Sequence, residues 1–196
     1  DIGGHIGYHA MHFAHLVGSE GKIYTFEPNP FNVERMTMIF DRNHDLAERI
    51  EVLNLAVGDH EGEIEFMVSS QIDNGYSSGS FISGADTPYN IDAYEKKGLG
   101  VIQAPLGTLD SLAKHATLPS SPTVVKLDVE GAEVSVLHGA RSFIETHHPI
   151  FFIELHNIAC TLGVLEFMHE YHYSVRYIED CDENRGFIEA HYTPDD

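Results

Sequence analysis

The chain of 196 residues is poor in cysteine, in basic side chains and in long apolar runs. Its two cysteines, Cys160 and Cys181, match no metal-binding or redox spacing, which is typical of a reducing compartment. The chain has 11 lysines and arginines and 31 aspartates and glutamates, which gives a net charge of -20. A protein with this charge would repel nucleic acid. No apolar run approaches the roughly 18 residues of a membrane helix, and no signal segment is visible. We therefore expect a soluble, cytoplasmic protein with neither a nucleic-acid nor a membrane partner.

The pattern of apolar residues predicts one doubly wound α/β domain over residues 1–196. A hydrophobic content of 42% is enough for one substantial core. The predicted elements are helix 7–17, strand 22–26, helix 30–42, strands 50–57 and 62–68, helix 109–114, strand 123–127, helix 131–147, strand 149–153, helix 162–171 and a hairpin of strands 173–178 and 186–191. The irregular stretch 69–103 is too long for an ordinary connection, which predicts a functional lid or an insertion.

A glycine-rich turn opens the chain, with the pattern D-x-G-x-x-x-G over residues 1–7. Glycines between a strand and a helix let a ligand approach the backbone, and the helix amides behind them face it. Glu27 follows the next predicted strand, where an acid suits the hydroxyls of a ribose. Asp1 stands where a dinucleotide-binding fold has its first glycine, and an acid there would repel a pyrophosphate but accept hydrogen bonds from an ammonium group. The pattern favours S-adenosylmethionine, with an NAD-dependent oxidoreductase as the alternative.

Two groups of polar residues follow apolar strands further along the chain. Asp128 and Glu130 come directly after one strand, and Glu154 and His156 come at the end of the next. Ligands bind beyond the carboxyl ends of parallel strands. If the two strands are neighbours, the four side chains are expected to converge on one cleft. Glu133 falls in the first turn of the following helix, where the helix dipole stabilises a carboxylate, and we interpret it as a helix-terminal acid.

Histidine is abundant, with 14 residues. His9, His12 and His15 recur on one face of the first predicted helix. We expect this face to be structural or solvated, since the spacing alone does not indicate a metal site.

Six sequence blocks together resemble the FkbM family of S-adenosylmethionine-dependent methyltransferases. They are D-I-G-G-H-I-G-Y, Y-T-F-E-P-N-P, L-N-L-A-V-G-D, T-L-D-S-L, K-L-D-V-E-G-A-E-x-x-V-L-x-G-A and P-I-F-F-I-E-L-H, and they span residues 1 to about 156. The resemblance implies the class I methyltransferase fold, a Rossmann-like, mostly parallel sheet with a C-terminal antiparallel hairpin. In the family a hydrophobic strand precedes the first block. Because nothing precedes Asp1, we expect an N-terminally truncated domain whose first strand is missing.

The resemblance also implies the roles of individual residues. Asp1, Gly3 and Gly7 would line the methionine end of S-adenosylmethionine, and Glu27 would hold its ribose hydroxyls. Ala56, Val57 and Asp59 would flank the adenine. Asp128 completes the predicted cofactor-binding set. The substrate would be a hydroxyl group on a sugar, another glycan or a small secondary metabolite, and the sequence predicts no oligomeric state.

The chemistry that follows is attack of a hydroxyl oxygen on the sulfonium methyl group. An alcohol is a weak nucleophile until it loses its proton, so a nearby base is expected. His156 is the first candidate base and Asp128 the second, with Glu154 as the third predicted catalytic residue. This interpretation assigns no metal ligand. One alternative places a divalent cation between Asp128, Glu130 or Glu154 and His156, and another is a cofactor-binding module without catalysis.

Overall fold

A computed structural model describes residues 1–69, 81–82, 99–114, 118, 124–178 and 186–194. In chain order its elements are α1 (Tyr8–Leu16), β1 (Ile23–Phe26), α2 (Pro30–Phe40), α3 (His44–Ala47), β2 (Ile50–Leu53), β3 (Ala56–Val57), β4 (Gly62–Ser69), β5 (Phe81–Ile82), β6 (Leu99–Gly107), α4 (Leu109–Lys114), β7 (Val124–Leu127), α5 (Glu133–His138), α6 (Arg141–His147), β8 (Ile150–Leu155), α7 (Ile158–Glu170), β9 (Tyr173–Ile178) and β10 (Gly186–Tyr192). Helices alternate with strands through most of this order, as the apolar pattern predicts.

The larger sheet has the strand order β2-β1-β7-β8-β10-β9, with Ile2 bridging β1 and β7. Strands β1 and β2 are parallel, as are β7 and β8, whereas β10 is antiparallel to both of its neighbours. The N–H of Ile2 donates to the carbonyl of Lys126 at 2.9 Å, and its own carbonyl accepts from the N–H of Asp128 at 3.1 Å. The doubly wound architecture with a C-terminal antiparallel hairpin is therefore confirmed.

Strand β8 carries apolar side chains on both faces, which suits its position inside the sheet. Val125 and Leu127 of the neighbouring β7 are buried. Phe151 and Ile153 of β8 are buried in the same core as Val136 of α5 and Phe167 of α7. A second cluster packs Met36 and other residues of α2 against α1 and β1. Among the described helices, none has both the length and the apolar character needed to cross a bilayer.

A second sheet has the order β3-β6-β4-β5. Strand β4 pairs antiparallel with β6 along its whole length, from Gly62 opposite Leu106 to Ser69 opposite Leu99. The predicted irregular stretch 69–103 is thus wrong for Ser69, for 81–82 and for 99–103, which are strand. The rest of that stretch lies outside the described residues, so its role as a lid or insertion stays a prediction.

Two other predicted elements are divided in the structure. The strand expected over 50–57 is two strands, because Asn54 turns the chain and its side-chain amide donates to the carbonyl of Glu27 at 2.7 Å. The helix expected over 131–147 is also two, and the break falls at Gly139. A Cβ at Gly139 would lie 1.9 Å from the carbonyl oxygen of Gly58, so the chain there packs backbone against backbone.

Candidate active site

A cavity of about 390 Å³ opens beyond the carboxyl ends of β1 and β7. Doubly wound sheets bind their ligands at this edge, and the volume falls within the range of about 300–1,000 Å³ typical of small-molecule sites. Five of the predicted cofactor-binding residues line it, namely Gly3, Glu27, Ala56, Val57 and Asp128. The cavity also reaches Glu130 and Lys126. It therefore joins the glycine turn to one of the two polar strand ends.

The glycine turn lies close to the end of β7 because Gly3 has no side chain. Gly3 has a φ of 86°, and a Cβ there would lie 1.8 Å from the carbonyl oxygen of Asp128. Gly7 also has a positive φ, 85°, and precedes the first residue of α1. It does not line the described cavity, and a Cβ there would meet the ring of Phe40 at 2.9 Å. Gly3 thus shapes the cavity wall, while Gly7 packs behind it.

Glu27 is a buried carboxylate at the cavity wall, with 5% of its surface exposed. Its Oε2 accepts from the N–H of His5 at 2.8 Å, and its Oε1 accepts from the N–H of Asn29 at 2.9 Å and from the side-chain amide of Asn32 at 3.2 Å. Burial raises the pKa of Glu27 to about 7, although these hydrogen bonds act in the opposite direction. Each carboxylate oxygen can accept two hydrogen bonds, so Glu27 is held rigidly and still has capacity for a ligand.

Asp1 turns its carboxylate into the protein, not into the cavity. Its side chain is fully buried, with Oδ1 3.4 Å from Nζ of Lys126 and Oδ2 accepting from the hydroxyl of Thr25 at 3.3 Å. Lys126 does line the cavity, donates to the carbonyl of Gly3 at 3.0 Å and lies 3.2 Å from Oδ2 of Asp128. The charged residue in the apolar V-V-K-L strand is the sequence signal for this arrangement, since a buried ammonium needs partners.

Asp59, predicted to flank the adenine, stands apart from the cavity. Its side chain is half exposed, and its Oδ1 lies 2.6 Å from Nδ1 of His60. That interaction, with its hydrogen bond, holds the pKa of Asp59 below its ordinary value. Ala56 and Val57, from the same sequence block, are buried at the cavity wall.

The two polar strand ends do converge, as expected for neighbouring strands. Strand β7 pairs with β8, and Nε2 of His156 lies 3.4 Å from Oδ1 of Asp128, 3.4 Å from Oε2 of Glu130 and 3.7 Å from Oε1 of Glu154. We call these four residues the acidic cluster. Strand β7 ends at Leu127, so Glu130 reaches His156 through a turn with a φ of 54°, not through a continued strand. Asp128 and Glu130 line the cavity, and His156 lies behind them with 3% exposure.

Glu133 is more than a helix-terminal acid. It is the first residue of α5 but is completely buried, and its Oε1 lies 2.8 Å from Nδ1 of His156. Its Oε2 accepts from Sγ of Cys160 at 2.9 Å. Burial alone would raise the pKa of Glu133, but the hydrogen bonds and charge of His156 outweigh it and hold the pKa below the ordinary value. Burial alone would lower the pKa of His156. The hydrogen bond and charge of Glu133, with the charges of Glu130 and Asp128, outweigh burial and raise that pKa.

Comparison with known proteins identifies the family. The sequence pattern described as the methyltransferase FkbM domain matches residues 1–187. The chain belongs to the FkbM methyltransferase family. A hexuronic acid methyltransferase, AglP, of Haloferax volcanii is 28% identical over 157 residues, which are 80% of this chain and 54% of that protein. The chain thus spans about half the length of this relative.

Solved structures show that the FkbM domain has the class I methyltransferase fold. The FkbM methyltransferase of Methylobacillus flagellatus matches with a TM-score of 0.68 at 19% identity, over 98% of this chain and 42% of that one. An O-methyltransferase from Bacillus cereus, solved with SAH, matches with a TM-score of 0.55 at 14% identity, over 98% of this chain and 72% of that one. At these identities the likeness shows the fold alone. Within this FkbM domain, Ile2 occupies the place between β1 and β7.

Two residues of α1 reach the cavity of this FkbM domain although the sequence pattern predicted only a solvated or structural face. Tyr8 and His9 line it, and both are otherwise exposed. Partial burial of the His9 ring, followed by the charge of Lys126, lowers its pKa. Their position follows from the turn at Gly7, which sets the direction of the helix. No periodicity within α1 could have indicated it, because most of the cavity wall is formed by other elements.

Proposed function

We propose that this chain forms the catalytic domain of an S-adenosylmethionine-dependent methyltransferase that acts on a hydroxyl group of a sugar, another glycan or a small secondary metabolite. One observation carries the proposal: a single cavity is lined both by the glycine turn with Glu27 and by the acids Asp128 and Glu130. The relative that modifies a hexuronic acid supports a sugar as the acceptor.

The residues at the cavity wall fit the cofactor. Because Gly3 has no side chain, the glycine turn packs directly against the carbonyl of Asp128, and its backbone forms part of the cavity wall. Oε2 of Glu27 can accept one further hydrogen bond, from a ribose hydroxyl. The apolar side chains of Ala56 and Val57 suit a base ring. When bound, the cofactor would supply an electrophilic sulfonium methyl group. Asp1, Gly7 and Asp59 would then support the cofactor site from outside the cavity.

The acidic cluster is proposed to handle the proton of the acceptor hydroxyl. By one route Asp128, which lines the cavity, takes the proton. His156, directly behind it, then stabilises the protonated Asp128. His156 itself and Glu154 remain candidate bases within the same cluster. By a second route a divalent cation held by these side chains lowers the pKa of the hydroxyl group. The close approach of His156 to the carboxylates of Asp128 and Glu130 is compatible with both routes.

Calorimetric titration of the purified chain with S-adenosylhomocysteine, and with NAD in parallel, tests the cofactor. We expect saturable binding of S-adenosylhomocysteine and none of NAD. Glu27→Gln should weaken that binding, whereas Glu51→Gln, at an exposed acid of β2, should not. Saturable binding of NAD alone would instead support the oxidoreductase alternative and contradict this proposal.

A screen with S-adenosylmethionine carrying a labelled methyl group tests the acceptor. Hexoses, hexuronic acids and small phenols or alcohols are incubated with the chain, and labelled products are separated by chromatography. Label in a methyl ether would support O-methylation. A chain that binds S-adenosylhomocysteine but labels no acceptor in such a panel would favour the non-catalytic module.

A further inference from the structure

Asp128, Glu130 and His156 each direct one donor atom to a common point beside the cavity. These three atoms lie within 4.8 Å of one another, and Nε2 of His156 is 3.4 Å from each of the two carboxylates. We call these three residues the donor triad. Donors that share an ion at about 2.1 Å and at right angles are about 3 Å apart. The observed spacing is close to that of ligands around one small cation.

His156 gives an independent indication of a ligand at this point. The residue is 97% buried, since only 3% of its surface is exposed. Its Nε2 is buried and has no hydrogen-bond partner among the described residues, although it points at Asp128 and Glu130. A buried polar atom is normally satisfied. A ligand at this point would satisfy it.

The opposite side of the imidazole is arranged as it is in metal sites. Nδ1 of His156 lies 2.8 Å from the carboxylate of Glu133. Histidines that ligate metals almost always donate their second ring N–H to a carboxylate or a carbonyl, which fixes the tautomer and the ring orientation. Glu133 is itself fixed, because its Oε1 also accepts from the N–H of Gly131 at 3.2 Å. Nε2 is thus directed at the two acids of the donor triad.

We propose that the donor triad binds one divalent cation of the Mn²⁺ and Mg²⁺ class. Two carboxylates suit these hard ions, and a single imidazole is compatible with Mn²⁺. The cation would bind the acceptor oxygen and lower the pKa of its hydroxyl group. The hydroxyl proton then leaves to solvent, an oxygen lone pair forms the new O–CH₃ bond, and the S–CH₃ bonding pair stays on sulfur. This catalytic role rests on the proposed methyl transfer, whereas the cation binding does not.

Electron paramagnetic resonance of Mn²⁺ tests the binding directly. The purified chain is titrated with MnCl₂ at about 0.15 M salt, which screens the non-specific attraction of a protein with a net charge of -20. We expect one Mn²⁺ per chain to lose its free aqueous signal, and excess Mg²⁺ to restore that signal. Echo-envelope modulation should show a directly bound ¹⁴N, from His156. Binding without a ¹⁴N coupling would overturn the proposed donor set.

Variants of the donor triad identify the site. Glu130→Gln and Asp128→Asn should each weaken Mn²⁺ binding at least tenfold, and His156→Gln should remove the ¹⁴N coupling. Glu65→Gln, at an exposed acid of β4, is the matched control and should bind Mn²⁺ as the parent chain does. Glu130 lies in a partly exposed turn, so its variant remains informative if His156→Gln does not fold. Unchanged Mn²⁺ affinity in both folded acid variants would overturn the proposal.

The cation site and the proposed function can be contradicted independently of each other. Titration with S-adenosylhomocysteine alongside Mn²⁺ measures each ligand in the same preparation. If the chain binds S-adenosylhomocysteine but does not bind Mn²⁺, the cation site is overturned and the proposed function stands. If the chain binds Mn²⁺ at the donor triad but does not bind S-adenosylhomocysteine, the cation site is supported and the proposed function is contradicted.

Discussion

Nδ1 of His156 lies 2.8 Å from Oε1 of Glu133, and neither side chain has more than 1% of its surface exposed. Glu133 begins α5, and His156 follows β8 directly. The interaction therefore joins the segments that follow two neighbouring strands and fixes the position of the imidazole behind the cavity wall. Oε2 of Glu133 also accepts from Sγ of Cys160, which ties α7 to the same point.

Replacing Glu133 with alanine should be strongly destabilising. The change leaves the buried donors of His156 and Cys160, and the half-buried N–H of Gly131, without their common acceptor. Breaking a buried pair by removing one partner typically costs about 3–5 kcal/mol. Urea unfolding followed by circular dichroism measures the free energy of unfolding. Glu166→Ala, at an exposed acid of α7, should change it by less than about 0.5 kcal/mol, and equal losses for the two variants would contradict the argument.

Gly3→Ala should weaken cofactor binding more than its backbone strain explains. Both Gly3 and Gly18 have positive φ values, 86° and 75°, but a Cβ meets the carbonyl oxygen of Asp128 only at Gly3. Gly18→Ala therefore carries the strain of about 1–2 kcal/mol without a clash. We expect Gly18→Ala to bind S-adenosylhomocysteine normally and Gly3→Ala to bind it at least tenfold more weakly, as measured by calorimetry. Similar affinities in the two variants would show that the turn does not contact the cofactor.

The sequence predicted the parts of the site that follow from regular structure. Asp128 and Glu130 follow one buried parallel strand and His156 follows another, so their convergence needed only the pairing of β7 with β8. Parallel strands bring their carboxyl ends to one edge of the sheet. The pattern of apolar residues was sufficient for that step.

The parts that the sequence did not reveal depend on contacts between distant segments. Glu133 has the usual position of a helix-terminal acid, and only its contact with His156, 23 residues later, shows its other role. Strand β6 was not predicted, and Pro105 within it argues against a strand. In the structure Pro105 pairs only with Glu63 of β4, since β3 joins the sheet one residue later, at Leu106. Local sequence propensity does not indicate which distant segment a residue contacts or pairs with.

His156→Ala should abolish methyl transfer while leaving cofactor binding nearly intact. His156 lies behind Asp128 and does not line the described cavity, so its loss changes the acidic cluster more than the cofactor wall. Under either route for removing the hydroxyl proton, the imidazole is required. Transfer of a labelled methyl group measures turnover, and calorimetry with S-adenosylhomocysteine measures binding. His15→Ala, at an exposed position of α1, is the control. Normal turnover in His156→Ala would remove His156 from the catalytic set.

Glu27 should make the ligand-free chain less stable as the pH rises from about 4.5 to about 7. Burial raises the pKa of Glu27 from 4.5 to about 7. The folded chain therefore holds a proton that the unfolded chain releases in this pH window, so the free energy of unfolding falls with rising pH. The contribution is on the order of 3 kcal/mol, at about 1.4 kcal/mol per pKa unit. Urea unfolding at several pH values should show a smaller fall for Glu27→Gln than for the parent chain. Parallel profiles would contradict the raised pKa.

Cofactor binding should depend on pH in the opposite direction. Ribose hydroxyls donate hydrogen bonds, and the ionised carboxylate of Glu27 accepts them better than the protonated acid does. Binding therefore lowers the pKa of Glu27, and the affinity for S-adenosylhomocysteine should fall as the pH drops below about 7, by up to about tenfold per pH unit. Calorimetry at pH 6.5 in buffers with different ionisation enthalpies should show proton release on binding. Glu27→Gln should bind weakly with no such dependence, whereas Glu51→Gln should follow the parent chain. An affinity that stays constant across this range would show that the cofactor does not contact Glu27.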